Sequence, residues 1–245
     1  MAALVYGGRS PIALALCKQL AGSGQEVHLI TRNRDEAIVN LASEHHCEHV
    51  HQCDLENAEK SIALALKIDD KVGGLEAVAF VHRYRSQTSN PLKQYEVEVY
   101  TPYEIVEALA TQNRRKQCAI VLTTSPAARN IVGDQDFQYH ASKAALSQLV
   151  RFGSIRFAAN NLRINGVSPG SFIFKQRAAE FYAKNPDVVA RANQLIPLAR
   201  MGTVTEIANV AAFLLSDKSS YINGQILEID GGLSNFDQAS LSKPN

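Results

Sequence analysis

Tyr139 and Lys143 stand four residues apart in the run Tyr139-His140-Ala141-Ser142-Lys143. On a helix that spacing puts both side chains on one face. A free tyrosine holds little phenolate at neutral pH, and a cation held beside it favours the charged form. The pair therefore has the parts for proton transfer at a phenol. Such pairs also arise on ordinary surface helices, so the surroundings decide. Ser125 follows an apolar run, Cys118 to Leu122, that reads as a strand. Downstream, Arg163 to Gly170 reads as another strand ending in a turn.

The elements that must position these groups alternate. Strands are expected at Ala2–Tyr6, Val27–Ile30, His49–Cys53, Leu75–Val81, Gln117–Thr124, Arg163–Val167 and Gln225–Ile229. Helices are expected at Pro11–Ala21, Arg34–Glu44, Glu56–Ile68, Val97–Thr111, Gln138–Asn160 and Val204–Ser216. This alternation predicts an α/β fold: a doubly wound, Rossmann-type parallel sheet of about seven strands with helices on both faces. In such a sheet a dinucleotide lies beyond the strand ends. A single domain over residues 1–245 is expected, with a lid at about 171–201 and a loose tail after 234.

With Ser125, Tyr139 and Lys143 in place, and Gly231-Gly232 near the end, the chain resembles the short-chain dehydrogenases/reductases. Within them it resembles a divergent member of the 3-oxoacyl-carrier-protein reductase-like enzymes. The resemblance implies NADP(H)-dependent hydride transfer between a carbonyl and a secondary alcohol. Ser125 would bond the substrate oxygen, Tyr139 would act as acid/base, and Lys143 would assist Tyr139 and hold the nicotinamide ribose. Glu98 stands where the family carries a helical asparagine in a proton relay. It either joins that relay, offsets the lysine charge, or points elsewhere. The resemblance also implies a homotetramer or homodimer and a small-molecule carbonyl or alcohol substrate.

At the cofactor end, Gly7-Gly8-Arg9-Ser10-Pro11-Ile12-Ala13 matches the family's glycine loop at Gly7 only. Backbone amides here, with Ser10 and Ile12, would face a pyrophosphate at a helix start. Pro11 has no N–H to give. After the second strand, Thr31-Arg32-Asn33 has no acidic residue for a ribose hydroxyl. Arg32, aided by Arg9, suits a 2′-phosphate, which puts NADP(H) ahead of NAD(H). Asp54-Leu55 resembles the adenine-binding position, and Asp54 equally suits a helix cap. Pro169, Gly170 and Phe172 resemble the turn that touches the nicotinamide. Arg83, after Phe80-Val81-His82, stands where the family has glycine. It turns to solvent or, with Arg85, faces an anion. Phe174 replaces an expected threonine.

The lid carries Phe172, Phe174, Phe181 and Tyr182 among Lys175, Arg177, Lys184 and Arg191, which suits a polar or acidic substrate, or equally an amphipathic helix pair. His49, His51 and Cys53 share one strand face and are competent metal ligands. One straight strand seldom supplies a tetrahedral set, so no metal is expected.

Composition sets bounds. The 245 residues are 46% hydrophobic and 20% charged, which is ordinary for a soluble domain. A net charge of +1 gives no reason to expect nucleic acid or an acidic membrane surface. No apolar run reaches the length of a membrane span. Met1 to Tyr6 reads as a first strand rather than a signal peptide. Cys17, Cys47, Cys53 and Cys118 show no paired spacing and suit a reducing, cytoplasmic setting. Pro11, the Phe80–Arg83 segment, Glu98 and Phe174 all line the cofactor side. Their clustering keeps a second expectation alive, a non-catalytic relative used for binding or assembly. The intact trio favours the enzyme.

Overall fold

The computed structural model describes residues 1–84, 90–112, 116–175 and 178–237. In chain order come β1 (Ala2–Tyr6), α1 (Pro11–Gly22), β2 (Glu26–Thr31), α2 (Glu36–Glu44), β3 (His49–Gln52), α3 (Ala58–Lys71) and β4 (Ala77–Phe80). Next are α4 (Pro91–Tyr95), a π-helical turn (Glu96–Tyr100), α5 (Thr101–Ala110), β5 (Cys118–Thr123), α6 (Phe137–Arg156) and β6 (Leu162–Pro169). The chain closes with β7 (Ile173–Phe174), α7 (Ala179–Lys184), α8 (Pro186–Leu195), β8 (Gly202–Thr203), α9 (Val204–Leu215) and β9 (Ile226–Ile229).

Seven strands form one parallel sheet in the order β3-β2-β1-β4-β5-β6-β9. The central strands are apolar on both faces because helices cover both. Leu4, Tyr6, Ile30, Val78, Phe80, Ile120 and Leu122 pack against α3, α5 and α6. Their alternates, Ala3, Val5, Leu29, Ala77, Ala79, Ala119 and Val121, pack against α1, α2 and α9. The Rossmann-type architecture read from the sequence is therefore the one observed. Strand order reverses direction between β1 and β4, and the crevice above that point is where a ligand sits in such sheets.

Three local expectations are corrected. The single helix expected over Val97–Thr111 is instead α4, a π turn and α5. Pro102 explains the break: an α-helix would pair the Glu98 carbonyl with the N–H of residue 102, and proline has none. Asp54 does not cap α3. Asn57 does, accepting from the Lys60 amide at 2.9 Å, while Asp54 accepts from the Glu56 amide at 3.1 Å in a turn of its own. The long helix ends at Arg156, with a 3₁₀ turn following over Ala158–Asn160.

The lid segment folds as β7, α7, α8 and β8, the two short strands pairing with each other. Its far end is pinned at α9, where Thr203 and Glu206 form a capping box and Arg200 pairs with Glu206 at 2.5 Å. Arg200 and the Thr203 amide together hold the Glu206 carboxyl down at about 2. Arg85, Arg177 and the tail beyond 237 lie outside the described residues.

Candidate active site

Asp136 starts α6 by accepting the Tyr139 amide at 2.9 Å. That cap fixes the first turn and sends Tyr139 and Lys143 toward the ends of β4 and β5. Lys143 is 3% exposed. Its Nζ donates to the Thr123 carbonyl at 3.3 Å and lies 5.6 Å from the Tyr139 ring centre. Ser125 follows β5, and its Oγ accepts the Ala127 amide at 3.2 Å. With that lone pair engaged, the hydroxyl hydrogen is free to turn outward. Ser125, Tyr139 and Lys143 line one cavity of about 580 Å³.

Glu98 sits inside the π turn and is 1% exposed. Its Oε2 lies 2.9 Å from Lys143 Nζ, an ion pair without the angle of an aligned hydrogen bond. Its Oε1 accepts the Tyr84 amide at 2.9 Å. The geometry makes Glu98 the counter-ion of the lysine and excludes that it points elsewhere. Both charges are buried and paired, as burial requires.

Arg83 does not turn away to solvent alone. Its guanidinium lies over the Tyr139 ring, 4.3 Å from the centre, and bonds the Gln135 side chain. The sequence flagged Arg83 as misplaced but held no sign that Gln135 or Tyr139 would receive it. His140 braces the same loop: Nδ1–H donates to the Asp136 carbonyl at 2.7 Å, and Nε2 accepts the Val132 amide at 2.9 Å. His82 donates from Nε2 to the Val97 carbonyl at 2.8 Å. Burial pushes the His82 imidazole down to about 4, so the ring is neutral at neutral pH.

The cofactor end of the cavity brings together Gly7, Arg9, Ser10, Ile12, Arg32, Asp54 and Leu55, and the other end brings Pro169 and Gly170. Phe172 is an exception. It faces a smaller neighbouring hollow with Ile196 and Leu198, because the chain turns over at Ser171 to enter β7. Gly7 has φ +114°, and a Cβ there would meet the His82 nitrogen at 2.9 Å, so this turn requires glycine. Pro11 occupies the first position of α1, where its missing N–H costs nothing. Helix geometry leaves the Ile12 and Ala13 amides open, and no acidic side chain occupies that first turn. The hydroxyls of Tyr6 and Thr123 are buried, line the cavity and lack partners among the described residues. Open amides, orphaned hydroxyls and a side-chain-free turn fit a phosphorylated dinucleotide.

Arg9 and Arg32 differ in availability. Arg9 pairs with Asp35, which caps α2 by accepting the Ile38 amide at 2.9 Å. That amide bond, with Arg9, holds the Asp35 carboxyl below its ordinary range against an opposing desolvation effect. Arg32 lines the cavity and is exposed.

A parallel doubly wound sheet with Tyr139, Lys143 and Ser125 at its switch point defines a class of nicotinamide-dependent oxidoreductase. Residues 7–234 match the family described as enoyl-(acyl carrier protein) reductase, and the chain belongs to this branch of the short-chain dehydrogenases/reductases. A chloroplastic tropinone reductase homolog of Arabidopsis thaliana is 28% identical over 248 residues, 96% of this chain and 76% of the relative. The gluconate 5-dehydrogenase of Burkholderia cenocepacia, solved with NADP and tartrate, superposes with a TM-score of 0.82 at 20% identity, covering 96% of each chain. The 3-oxoacyl-[acyl-carrier protein] reductase of Brucella melitensis, solved with NAD, gives a TM-score of 0.78 at 23% identity, covering 96% of this chain and 98% of its own. Those two structures share the fold, and they differ in cofactor.

Proposed function

We propose that this protein is an NADP(H)-dependent oxidoreductase that interconverts a carbonyl and a secondary alcohol, with Tyr139 as acid/base. The observation that carries the reading is the trio of Ser125, Tyr139 and a buried Lys143 on one cavity wall. The cofactor, when bound, supplies the hydride. In reduction Ser125 donates a hydrogen bond to the substrate carbonyl oxygen, and Tyr139 gives its proton to that oxygen as negative charge develops. In oxidation Tyr139 takes the proton back. Lys143 acts from beneath, through its field and its bond to the Thr123 carbonyl.

Arg32 supports NADP(H). Of the two arginines at the cofactor end, Arg9 and Arg32, it is the one not tied to Asp35, and β2 ends without an acid. No disulfide joins Cys17, Cys47, Cys53 or Cys118, which fits a cytoplasmic setting. Among the described residues no helix is long and apolar enough to cross a membrane. Assembly as a homodimer or homotetramer is supported by apolar side chains left exposed on one side: Tyr100 beside α5, and Phe152 and Ile155 on α6.

The test is a fluorescence titration with NADPH and NADH, followed by carbonyl screening with the preferred one. Tyr139→Phe is expected to bind cofactor normally and to lose turnover by at least about a hundredfold. Normal rates in that variant would remove Tyr139 from the mechanism.

A further inference from the structure

A second cluster of chemically competent side chains lies at the other end of the sheet. β2 and β3 run parallel in a register that pairs His28 with His49 and Ile30 with His51. Side chains alternate along a strand, so Glu26 and His28 share a face with His49 and His51 of the neighbouring strand. Their rings stack: His28 on His49 with centres 4.7 Å apart, and His28 on His51 with centres 5.2 Å apart. His28 Nε2 is 3.0 Å from Glu26 Oε1, and His49 Nε2 is 3.4 Å from the same oxygen. The three ligand atoms lie within 4.8 Å of one another. The sequence alone set metal binding aside because His49, His51 and Cys53 came from one strand. The structure turns Cys53 away to Ser61 and supplies the missing ligands from β2.

We propose that Glu26, His28 and His49 form a binding site for a divalent transition metal, Zn²⁺ by its ligand set. Two imidazole nitrogens and one carboxylate oxygen suit zinc, with solvent completing the tetrahedron, and they disfavour Mg²⁺ and Ca²⁺. His51 is the positioning residue. Its Nε2 lies 2.9 Å from His28 Nδ1, on the far side of the ring from Glu26. Without metal, His51 donates to His28 Nδ1 and His28 Nε2–H donates to Glu26. With metal on His28 Nε2, the proton sits on Nδ1 and donates to His51, whose own proton moves to its other nitrogen. Both rings stay neutral in either arrangement, and the outer partner fixes the tautomer of the ligand.

The environment bears on affinity in both directions. His28 is fully buried and its orientation is set, whereas Glu26 and His49 are half exposed and can close on an ion. Lys71 of α3 and Arg34 face the cluster and oppose added positive charge. The site lies at the N-terminal ends of β2 and β3, away from Tyr139. An ion there would tie β3, which has a partner on one side only, to the body of the sheet.

The test uses the full-length protein, stripped with chelator and dialysed against ZnCl₂ or MgCl₂. Expected are one Zn²⁺ per chain with a dissociation constant on the order of 1 µM, a rise in unfolding temperature with Zn²⁺, and no response to Mg²⁺. His49→Ala and Glu26→Gln, at half-exposed positions, are expected to fold, to bind NADPH as before and to bind Zn²⁺ at least tenfold more weakly. His51→Phe is expected to lower affinity about 10- to 100-fold with the ligands intact. Absence of stoichiometric Zn²⁺ would overturn the site. So would equal Zn²⁺ binding by wild type and His49→Ala, which would place the ion on the thiols.

Discussion

Glu98→Gln separates the charge of residue 98 from its shape. The amide still accepts the Tyr84 N–H through its oxygen and removes the counter-ion of Lys143. Lys143 Nζ is 5.6 Å from the Tyr139 ring centre. At an effective dielectric near 20, a cation at that range favours a phenolate by about 3 kcal/mol. Glu98 opposes this. Its carboxylate is no farther from the ring than 5.6 and 2.9 Å laid end to end, about 8.5 Å, so it removes at least about 2 kcal/mol of that gain. The variant's oxidative rate profile is thus expected to lie at lower pH than that of wild type. The same change leaves Lys143 buried and unpaired, which costs about 3–5 kcal/mol of stability. The assay is initial oxidative rate from pH 6 to 10 with saturating NADP⁺ and whichever alcohol the wild type turns over, beside a denaturant melt. A lower stability with an unmoved rate profile would refute the electrostatic reasoning and leave Glu98 a purely structural ion.

Arg32→Ala is expected to weaken NADPH binding about 10- to 100-fold, the loss of a charge-assisted phosphate contact, and to leave NADH binding within about twofold, read by fluorescence titration. Arg163→Met should cost about 3 kcal/mol in a urea melt. Arg163 is 4% exposed, and its guanidinium donates to Gln117 and to the carbonyls of Leu214, Ser216 and Ile222, each of which would lose one charge-assisted donor. His82 gives a pH dependence with a definite sign. Its pKa is about 4 folded and 6.5 as a free group, so the unfolded chain binds the extra proton between those values. The stability linked to neutral His82 is complete above pH 6.5 and falls as pH drops toward 4, by up to about 3 kcal/mol. His82→Gln should flatten that part of the stability curve, and parallel curves for variant and wild type would dissociate His82 from it.

The sheet was legible because its strands are short apolar runs and its helices carry their own start signals. Asp136 stands three residues before Tyr139, and Thr203 and Glu206 spell a capping box. Gly7 was legible as a turn, though not the reason for it, since His82 arrives from another strand. Less could be seen where an outcome depended on register between strands. The His28–His49 pairing and the reach of Arg83 to Gln135 connect residues far apart in the chain. The π turn that holds Glu98 was a different kind of miss. Pro102 was in view four residues on, and the missing N–H could have been counted. Asp54 lost the capping role to Asn57 because both residue types cap equally well and only the helix start distinguishes them.

The π turn makes the charge balance of the site a matter of helix phase. Each residue of an α-helix advances the direction of its side chain by about 100°. The surplus residue in the turn at Glu96–Tyr100 therefore acts as a phase shifter between α4 and α5. Deleting one residue there would keep every side chain of the trio and still swing the carboxylate away from the lysine. Two chains with the same residues around Tyr139 can thus differ in the net charge beneath it through the winding of one helix.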